Sequence, residues 1–504
     1  MSSELSRRSL FQAAGGLTLL AAVPEALGEM PAPRPVGSAL LPVFSALPYL
    51  QPGPDGSRLV DGHESMVVAW QTDTTPARFE LTYGQRGTEH QADVTSVSRG
   101  KEDRRVTERR INYSARLEGL HLGTRYRYRM AMDGKPFAEG WFTTRKPRGR
   151  RTHFVAFGDN SYGTMSDRAI AYYAYQARPD FVMNTGDTVY YEGRDSEYGR
   201  FFFPVYNATE AGPRIGAPLM RSVPVYTVLG NHDVESKSGG LRGADFDRFV
   251  DALGYFTNLE LPMNGPMPNS PVPLFGESKR MEEFMHAMRG RYPGMANYSF
   301  DYGDGHFLCL DSNVYVDPTD PALMRWIESD LASTDAAWKF VVCHHPPFNI
   351  GIEHGDEQQI RALCPIFERL GVDLVMSGHE HNYQRTRPIR FVPGDLAGAK
   401  AVGKGTRYVP GTFTVDRQFD GRTVTKPSGI VYLTTGAGGH DLYNLEMNDA
   451  PETWKRPEDG NVEYTARMKT DRHSLTVFDM DAHRLEWRQI DEWGRELDRV
   501  VITK

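Results

Sequence analysis

The sequence predicts an all-β sandwich followed by a larger domain of the α/β (α+β) class. Residues 48–145 contain short runs of alternating apolar and polar residues separated by turns, a pattern typical of antiparallel strands with one buried face. From residue 152 onward, apolar runs rich in β-branched and aromatic residues alternate with helical stretches, as expected of βαβ units. Several of these apolar runs end in polar segments, which puts reactive side chains at the ends of strands.

Four segments are expected along the chain. Residues 1–28 are predicted to be an export signal, 29–46 a Pro- and Ala-rich linker, 47–146 the sandwich and 147–504 the second domain. The turn-rich, basic sequence Lys146-Pro147-Arg148-Gly149 marks the boundary between the two folded parts.

The predicted export signal has three parts in the expected order. Ser6-Arg7-Arg8-Ser9-Leu10-Phe11 resembles a twin-arginine motif, the apolar stretch Ala13–Val23 follows, and Ala26-Leu27-Gly28 provides a small-x-small cleavage site. The apolar stretch is too short to span a bilayer, and no run of about 20 apolar residues occurs later. We therefore expect twin-arginine export of a soluble protein, without a transmembrane anchor, to the periplasm or the extracellular space.

The sandwich is predicted from four alternating runs, which are Met66–Thr72, Ala77–Tyr83, Arg125–Met132 and Glu139–Thr144. Trp70, inside the first run, is expected to anchor the core. The segment from Leu120 to Tyr126 resembles the tyrosine corner of fibronectin-type sandwiches, in which a tyrosine hydroxyl bonds backbone a few residues upstream.

The second domain should contain helices and strands at several recognisable places. Helices are expected at Ser166–Ala177 and Pro321–Ser333, and Tyr298–Tyr302 and His306–Asp311 should form a hairpin. A strand at Ile430–Thr435 precedes a Gly-rich turn, and two alternating strands are expected around residues 479–483. Two long segments, 262–276 and 394–427, lack clear periodicity, and their role stays open.

Five short polar segments each follow a strand-like run and contain residues that bind metals. They are Gly158-Asp159-Asn160-Ser161, Gly186-Asp187-Thr188-Val189-Tyr190, Gly230-Asn231-His232-Asp233, Val341-Val342-Cys343-His344 and Gly378-His379-Glu380-His381. Any one of them could be an ordinary turn or a helix cap. All five in order predict that their side chains meet at one sheet edge.

The five segments resemble those of the calcineurin-like metallophosphoesterases. The tyrosine at position 190 makes the second segment similar to that of the purple acid phosphatase branch. This resemblance implies the metallophosphoesterase fold: two facing mixed sheets flanked by helices, with the metals at one edge. It also implies that the preceding sandwich is the fibronectin-III-like N-terminal domain of purple acid phosphatases.

The resemblance implies a site for two metal ions. Carried over by position, the first ion has Asp159, Tyr190 and His381, the second has Asn231, His344 and His379, and Asp187 bridges them. Carboxylates and a phenolate suit a hard trivalent ion, whereas two imidazoles and an amide oxygen suit a borderline divalent one. The expected pair is Fe(III) with divalent Fe, Zn or Mn.

Four further residues beside these segments need separate interpretation. Ser161 stands where the family usually has glycine, which puts substrate preference in question. His345 is expected to point away from the site as a structural or outer-sphere residue. The resemblance implies that His232 reaches the substrate phosphate and that His354 protonates the leaving oxygen. The alternatives are that His232 belongs to an ordinary loop and that His354 is a bystander.

Composition excludes some classes of partner. The formal net charge of −7 over 504 residues gives no basic footprint for nucleic acid, so an anionic substrate must be attracted locally by the metals. The three cysteines, Cys309, Cys343 and Cys364, are expected to be buried free thiols.

The activity implied by the resemblance is hydrolysis of a small-molecule phosphate ester by attack of a metal-bound hydroxide, as in an acid phosphatase. Asn231, His232 and Ser161 are the expected substrate-binding residues, with His232 and His354 as the catalytic ones. An exported phosphodiesterase or alkaline phosphatase of the twin-arginine type is an alternative, and a non-catalytic surface binding protein is another. The oligomeric state stays open.

Overall fold

The computed structural model describes residues 41–504 except 58, 60, 100–109, 239–240, 289 and 403–405. The predicted export signal, residues 1–28, and most of the predicted linker lie outside the described residues. The first strand begins at Phe44, so the sandwich starts just inside the segment predicted to be a linker.

The N-terminal part is a sandwich of two four-stranded antiparallel sheets, with strand orders β1-β2-β6-β5 and β4-β3-β7-β8. Its strands β1 to β8 span Phe44–Gln51, Glu64–Thr72, Phe79–Gln85, Thr88–Ala92, Val94–Arg99, Arg110–Leu120, Arg125–Met132 and Lys135–Thr143. Trp70 is fully buried and stacks on Tyr113, with ring centroids 5.4 Å apart. The tyrosine corner is present, since the His121 N–H donates to Tyr126 Oη at 2.9 Å.

The second domain contains strands β9 to β27. They span Thr152–Phe157, Phe181–Asn184, Val225–Thr227, Lys237–Ser238, Leu241–Arg242, Ala244–Asp245, Leu274–Phe275, Tyr298–Tyr302, Gly305–Leu310, Trp338–Cys343, Leu374–Ser377, Tyr383–Thr386, Ile389–Pro393, Gly411–Val415, Val431–Thr435, Thr465–Lys469, Ser474–Met480, Arg484–Asp491 and Glu496–Thr503. The end of the chain therefore forms three strands, where the alternation predicted two.

Two mixed sheets carry the second domain. One has six strands in the order β11-β10-β9-β25-β26-β27, and the other has seven in the order β16-β17-β18-β19-β23-β20-β24. Their inner faces meet through aromatic side chains, with the Phe154 ring 5.4 Å from that of Phe307 and 6.0 Å from that of Phe340. The predicted fold of two facing mixed sheets behind an all-β sandwich is confirmed.

Short helices connect the strands. Helices α1 to α9 span Met165–Gln176, Asp195–Glu197, Phe203–Tyr206, Gly254–Asn258, Ser278–Met288, Arg291–Gly294, Pro321–Ser333, Cys364–Arg369 and Ala397–Lys400. Helix α1 begins at a capping box, because the Thr164 hydroxyl accepts from the Asp167 N–H while the Asp167 side chain accepts from the Thr164 N–H. Within the described ranges, every helix is too short or too polar to cross a membrane. All three cysteines are buried free thiols, as predicted.

The sandwich and the second domain are joined by buried polar contacts. Tyr49 Oη donates to the Asn258 carbonyl at 2.7 Å, and Tyr128 Oη donates to the Arg221 carbonyl at 3.0 Å. The proline-rich segment 262–276 also reaches the sandwich, since the Met263 N–H donates to the Pro54 carbonyl at 3.1 Å. The sandwich is therefore packed against the domain that carries the five polar segments.

Candidate metal centre

The five polar segments meet at one edge of the two sheets. Strands β9, β10 and β11 run parallel in the first sheet, and β18 and β19 run parallel in the second. Each ends within one polar segment or is separated from it by at most two residues, so their carboxyl ends converge. The seven side chains predicted as ligands lie in this one place, and each of them is at most 2% exposed.

The backbone of these segments is tightly constrained. Asp159, Asp187 and His379 have φ values of 56°, 50° and 68°, in the left-handed region that side chains other than glycine rarely adopt. A Cβ on Gly378 would lie 2.5 Å from Asp159 Oδ2, and one on Gly186 would lie 2.6 Å from His344 Nδ1. Glycine is needed there because neighbouring loops approach too closely for a side chain.

The first group of side chains surrounds the phenol oxygen of Tyr190. Tyr190 Oη lies 3.2 Å from Asp159 Oδ1, 3.1 Å from Asp187 Oδ2 and 3.1 Å from His381 Nε2. Burial and then the charges of Asp187 and Asp159 raise the pKa of Tyr190 well above its usual value. Two carboxylates, one phenol and one imidazole therefore lie close together, and a cation bound among them would stabilise this arrangement.

The second group shares Asp187 with the first. His344 Nε2 lies 3.3 Å from Asp187 Oδ2 and 3.1 Å from Asn231 Oδ1, and His379 completes the group. Burial alone would raise the pKa of Asp187, but His344 and His232 hold it well below its usual range. The same carboxylate oxygen, Asp187 Oδ2, thus lies beside a donor of each group.

Hydrogen bonds on the far side of each imidazole fix its orientation. His344 Nδ1 lies 2.9 Å from the Thr185 carbonyl, and His381 Nδ1 lies 2.7 Å from the Asp441 carbonyl. Burial would lower the pKa of His344, but Asp187 and Asp159 raise it to about 9. The hydrogen bonds at Nδ1 of His344 and His381 orient the Nε2 atom of each ring toward a metal.

Glu357 was not singled out in the sequence, but it lies directly behind the second group. Its Oε2 lies 3.2 Å from His379 Nε2 and 3.1 Å from His345 Nε2. His345 therefore occupies the outer side of the centre, and Ser312 Oγ holds its other nitrogen at 2.9 Å. Burial would raise the pKa of Glu357, but His379 and His345 hold it far below its usual value, so it is a carboxylate.

His232 lies beside the first group. Its backbone N–H donates to Asp187 Oδ1 at 2.7 Å, and its ring lies 4.4 Å from the Tyr190 ring. Its Nδ1 is 2.9 Å from both the Tyr191 carbonyl and Glu235 Oε2, so Nε2 is the nitrogen left to face a substrate. Burial would lower the pKa of His232, but Asp187 and Glu235 raise it to about 9.

The two other predicted substrate residues differ in position. The His354 ring lies 4.0 Å from that of His379, one member of the second group. By contrast, the Ser161 hydroxyl is fully buried and accepts from Asn160 Nδ2 at 2.9 Å. Its N–H donates to Asp167, so its contacts secure the loop and are not with the predicted ligands.

A cavity of about 730 Å³ adjoins the first group. Its lining includes Tyr162, Tyr190, Tyr191, Arg200 and Phe201. The cavity is large enough to hold the organic part of a small ester.

Comparisons with known proteins match both folded parts of the chain. Residues 153–383 match the family model for calcineurin-like phosphoesterase, and residues 58–146 match the model for the purple acid phosphatase N-terminal domain. Purple acid phosphatase 17 from Arabidopsis thaliana is 29% identical over 49% of this chain and 68% of its own length. A purple acid phosphatase from Glycine max is 22% identical over 83% of this chain and 85% of its own length.

Solved structures share the fold. The purple acid phosphatase PPD1 from yellow lupin matches with a TM-score of 0.63 and 16% identity, over 90% of this chain and 74% of that one. A structure of PhoD matches with a TM-score of 0.53 and 13% identity, over 92% of this chain and 94% of that one. Residues 153–383 are therefore a calcineurin-like phosphoesterase domain and residues 58–146 a purple acid phosphatase N-terminal domain, so the chain is a hydrolase that acts on phosphoric esters.

Proposed function

We propose that this protein is an acid phosphatase that hydrolyses phosphate monoesters of small molecules at a centre of two metal ions. The observation that carries the proposal is the position of Asp187 Oδ2, 3.1 Å from Tyr190 Oη and 3.3 Å from His344 Nε2. One carboxylate oxygen between two groups of donors is what a bridging ligand requires.

The residues present fit such a pair of ions. Ligands about 2.0–2.3 Å from a common ion lie roughly 3 Å from each other, and the three contacts of Tyr190 Oη are 3.1–3.2 Å. The proposed first set is Tyr190, Asp159 and His381, which suits Fe(III). The proposed second set, listed with its shared carboxylate, is Asn231, His344, His379 and Asp187, which suits divalent Fe, Zn or Mn.

When bound, the ions would hold the phosphate and make a water molecule nucleophilic at a pH where free water is not. The chain's own residues then have separate tasks. The His232 N–H would hold Asp187 in position, and the Thr185 carbonyl would hold His344. His232 Nε2 would donate to a phosphate oxygen. His354 would donate a proton to the leaving alcohol oxygen, because its ring lies beside that of His379.

The proposal extends to the cellular location. The twin-arginine-like sequence at residues 6–11, followed by an apolar stretch and a small-x-small site, supports export to the periplasm or beyond. That route moves folded proteins, which suits a metal centre assembled from five separate loops. Processing after residue 28 is checked by N-terminal sequencing of the exported protein.

Metal analysis and substrate comparison test the catalytic proposal together. We expect two metal ions per chain, one of them iron, and faster hydrolysis of phosphate monoesters than of diesters at acidic pH. An exported phosphodiesterase or alkaline phosphatase would instead prefer diesters or be most active at alkaline pH. A protein that holds both metals and hydrolyses neither class would contradict the assignment.

A further inference from the structure

The loop after β23, residues 436–441, is pressed against the loop that carries Asp159. The His440 N–H donates to the Asp159 carbonyl at 3.1 Å, and the Gly438 N–H donates to the Gly158 carbonyl at 3.0 Å. Gly439 has a φ of 156°, and the Asp167 carboxylate occupies the place where a side chain on Gly439 would be. The backbone of this loop is therefore tightly fixed, and it fixes the position of the His440 Cα.

The His440 ring is buried among the aromatic residues of the site. It stacks on Tyr162 at 4.2 Å and lies 4.3 Å from the Tyr190 ring and 4.6 Å from the His381 ring. The residue is only 7% exposed. Among the described residues, neither Nδ1 nor Nε2 of His440 has a hydrogen-bond partner. A buried, unsatisfied imidazole in a functional site needs an explanation, because burying it without a partner costs free energy.

Coordination of the first metal does not explain why the His440 imidazole lacks a hydrogen-bond partner. Ligands of one ion approach each other, as Tyr190 Oη approaches Asp159, Asp187 and His381 at 3.1–3.2 Å. Neither nitrogen of His440 makes a hydrogen bond with any of these atoms. His440 therefore lies just outside the group of donors.

The His440 ring lies between the cavity and the place beside Tyr190 where the substrate phosphate is proposed to bind. Tyr162, on which it stacks, and Tyr191, 5.8 Å from it, both line the 730 Å³ cavity. His232 and His440 both pack against Tyr190, with ring centroids 4.4 and 4.3 Å from it. A phosphate held beside Tyr190 Oη would be within reach of both imidazoles.

We propose that His440 is a second imidazole that donates a hydrogen bond to a non-bridging oxygen of the substrate phosphate, in addition to His232. This inference rests on the proposed function and deepens it. His440 supplies a donor at the side of the cavity, where the phosphoryl group joins the organic part of the ester. It contacts the substrate and not the metals.

The test compares His440→Phe and His440→Gln with the wild-type protein. Phenylalanine retains the stacking on Tyr162 and Tyr190 but has no donor, whereas glutamine restores an N–H. His90→Phe is the matched control, since His90 is exposed on the sandwich and packs on Tyr83. The measurements are metal content, the dissociation constant of inorganic phosphate by calorimetry, and kcat/KM for a phosphate monoester.

We expect His440→Phe to keep the full metal content and to bind phosphate about 10- to 100-fold more weakly, as for loss of one hydrogen bond to a charged group. His440→Gln should recover part of that affinity, and His90→Phe should match the wild type. Unchanged phosphate affinity in His440→Phe would overturn the inference while leaving the proposed function intact. Loss of metal or of folding in both His440 variants would also overturn it, by making the ring part of the centre itself. A wild-type protein without bound metals would instead contradict the proposed function.

Discussion

At the scale of single residues, Asp187 has the most demanding position in the centre. Its Oδ2 lies between donors of both groups, while its Oδ1 accepts from the His232 N–H at 2.7 Å. A neutral amide bridges two cations poorly. We therefore expect Asp187→Asn to lose both metals and nearly all activity, as measured by elemental analysis and monoester hydrolysis.

The control for Asp187→Asn is His345→Ala, which changes a residue behind the centre. His345 contacts Ser312 and Glu357. Because His379 keeps its own contact with Glu357 at 3.2 Å, His345→Ala should retain most of the metal. Equal metal loss in the two variants would mean that the wrong histidine of the pair has been chosen as ligand.

Tyr190 is expected to give the protein its colour. A phenolate bound to Fe(III) produces a broad visible charge-transfer band, and Tyr190→Phe removes only the oxygen that would generate it. The ring should stay packed between His232 and His440. We expect the visible band to vanish while circular dichroism remains that of the wild type. A colourless, iron-free wild-type enzyme with full activity would rule out the tyrosinate assignment.

The contribution of His354 to kcat/KM should increase with the basicity of the leaving group. A positioned acid contributes about 10²–10⁴-fold to rate when the leaving oxygen must be protonated. His354→Ala should therefore reduce kcat/KM strongly for alkyl phosphates and weakly for nitrophenyl phosphate, whose leaving group departs without a proton. An equal loss for both substrates would indicate a role in binding or folding.

Local sequence patterns located the loops of the proposed ligands but not the residues that support those loops. Asp159, Asp187 and His379 each follow a strand-like run and a glycine, so their loops could be recognised one at a time. Glu357 and His440 lie in loops without periodicity, and their roles arise only when distant loops pack together. An unpartnered buried imidazole is a property of the folded structure and has no signal in the sequence.

At the scale of elements, the unassigned segment 394–427 acts as a support for the site. Arg407 is buried, and its guanidinium donates to the Val316 carbonyl at 2.9 Å. Its backbone pairs with the loop of Glu357, since the Gln358 N–H donates to the Arg407 carbonyl at 3.2 Å and the Arg407 N–H donates to the Asp356 carbonyl at 3.0 Å. This long segment therefore holds the loop on which both His354 and Glu357 lie.

The hairpin of β16 and β17 should make stability depend on pH. His306, on β17, lies 2.7 Å from Asp301 Oδ1 and 2.8 Å from Asp330 Oδ2 of helix α7. Burial would lower its pKa, but these two carboxylates raise it to about 9. Because the folded pKa exceeds the unfolded one, this contribution is complete below about pH 6.5 and is lost as the pH rises through about 9.

The variant His306→Gln isolates this contribution. We expect it to lower the free energy of unfolding by about 2 kcal/mol at pH 6, a value reduced from the full linkage because Asp301 is half exposed. The difference from wild type should shrink by pH 10. Urea unfolding at both pH values measures it, and a difference that stays constant across this range would mean that the ion pairs do not contribute.

At the scale of the whole molecule, a buried ion pair of the sandwich lies at its border with the catalytic domain. Glu64 Oε1 accepts from Arg145 Nε at 2.7 Å and Glu64 Oε2 accepts from the Arg145 N–H at 2.8 Å, with both side chains at most 6% exposed. Arg145 also donates to the Asp301 carbonyl of the catalytic domain at 3.3 Å. The pair therefore connects the last segment of the sandwich to the first hairpin of the neighbouring sheet.

Removing one partner of this pair should destabilise the protein far more than removing an exposed pair. Glu64→Gln leaves the Arg145 guanidinium buried without a counter-charge, which costs about 3–5 kcal/mol. Arg129→Gln is the matched control, since Arg129 pairs with Glu89 on the surface of the sandwich, where such a pair contributes less than about 1 kcal/mol. Because the Tyr49 and Tyr128 contacts also cross the interface, we expect thermal unfolding to remain a single transition at a lower temperature in Glu64→Gln. Two separate transitions in the wild-type protein would show that the sandwich and the catalytic domain unfold independently.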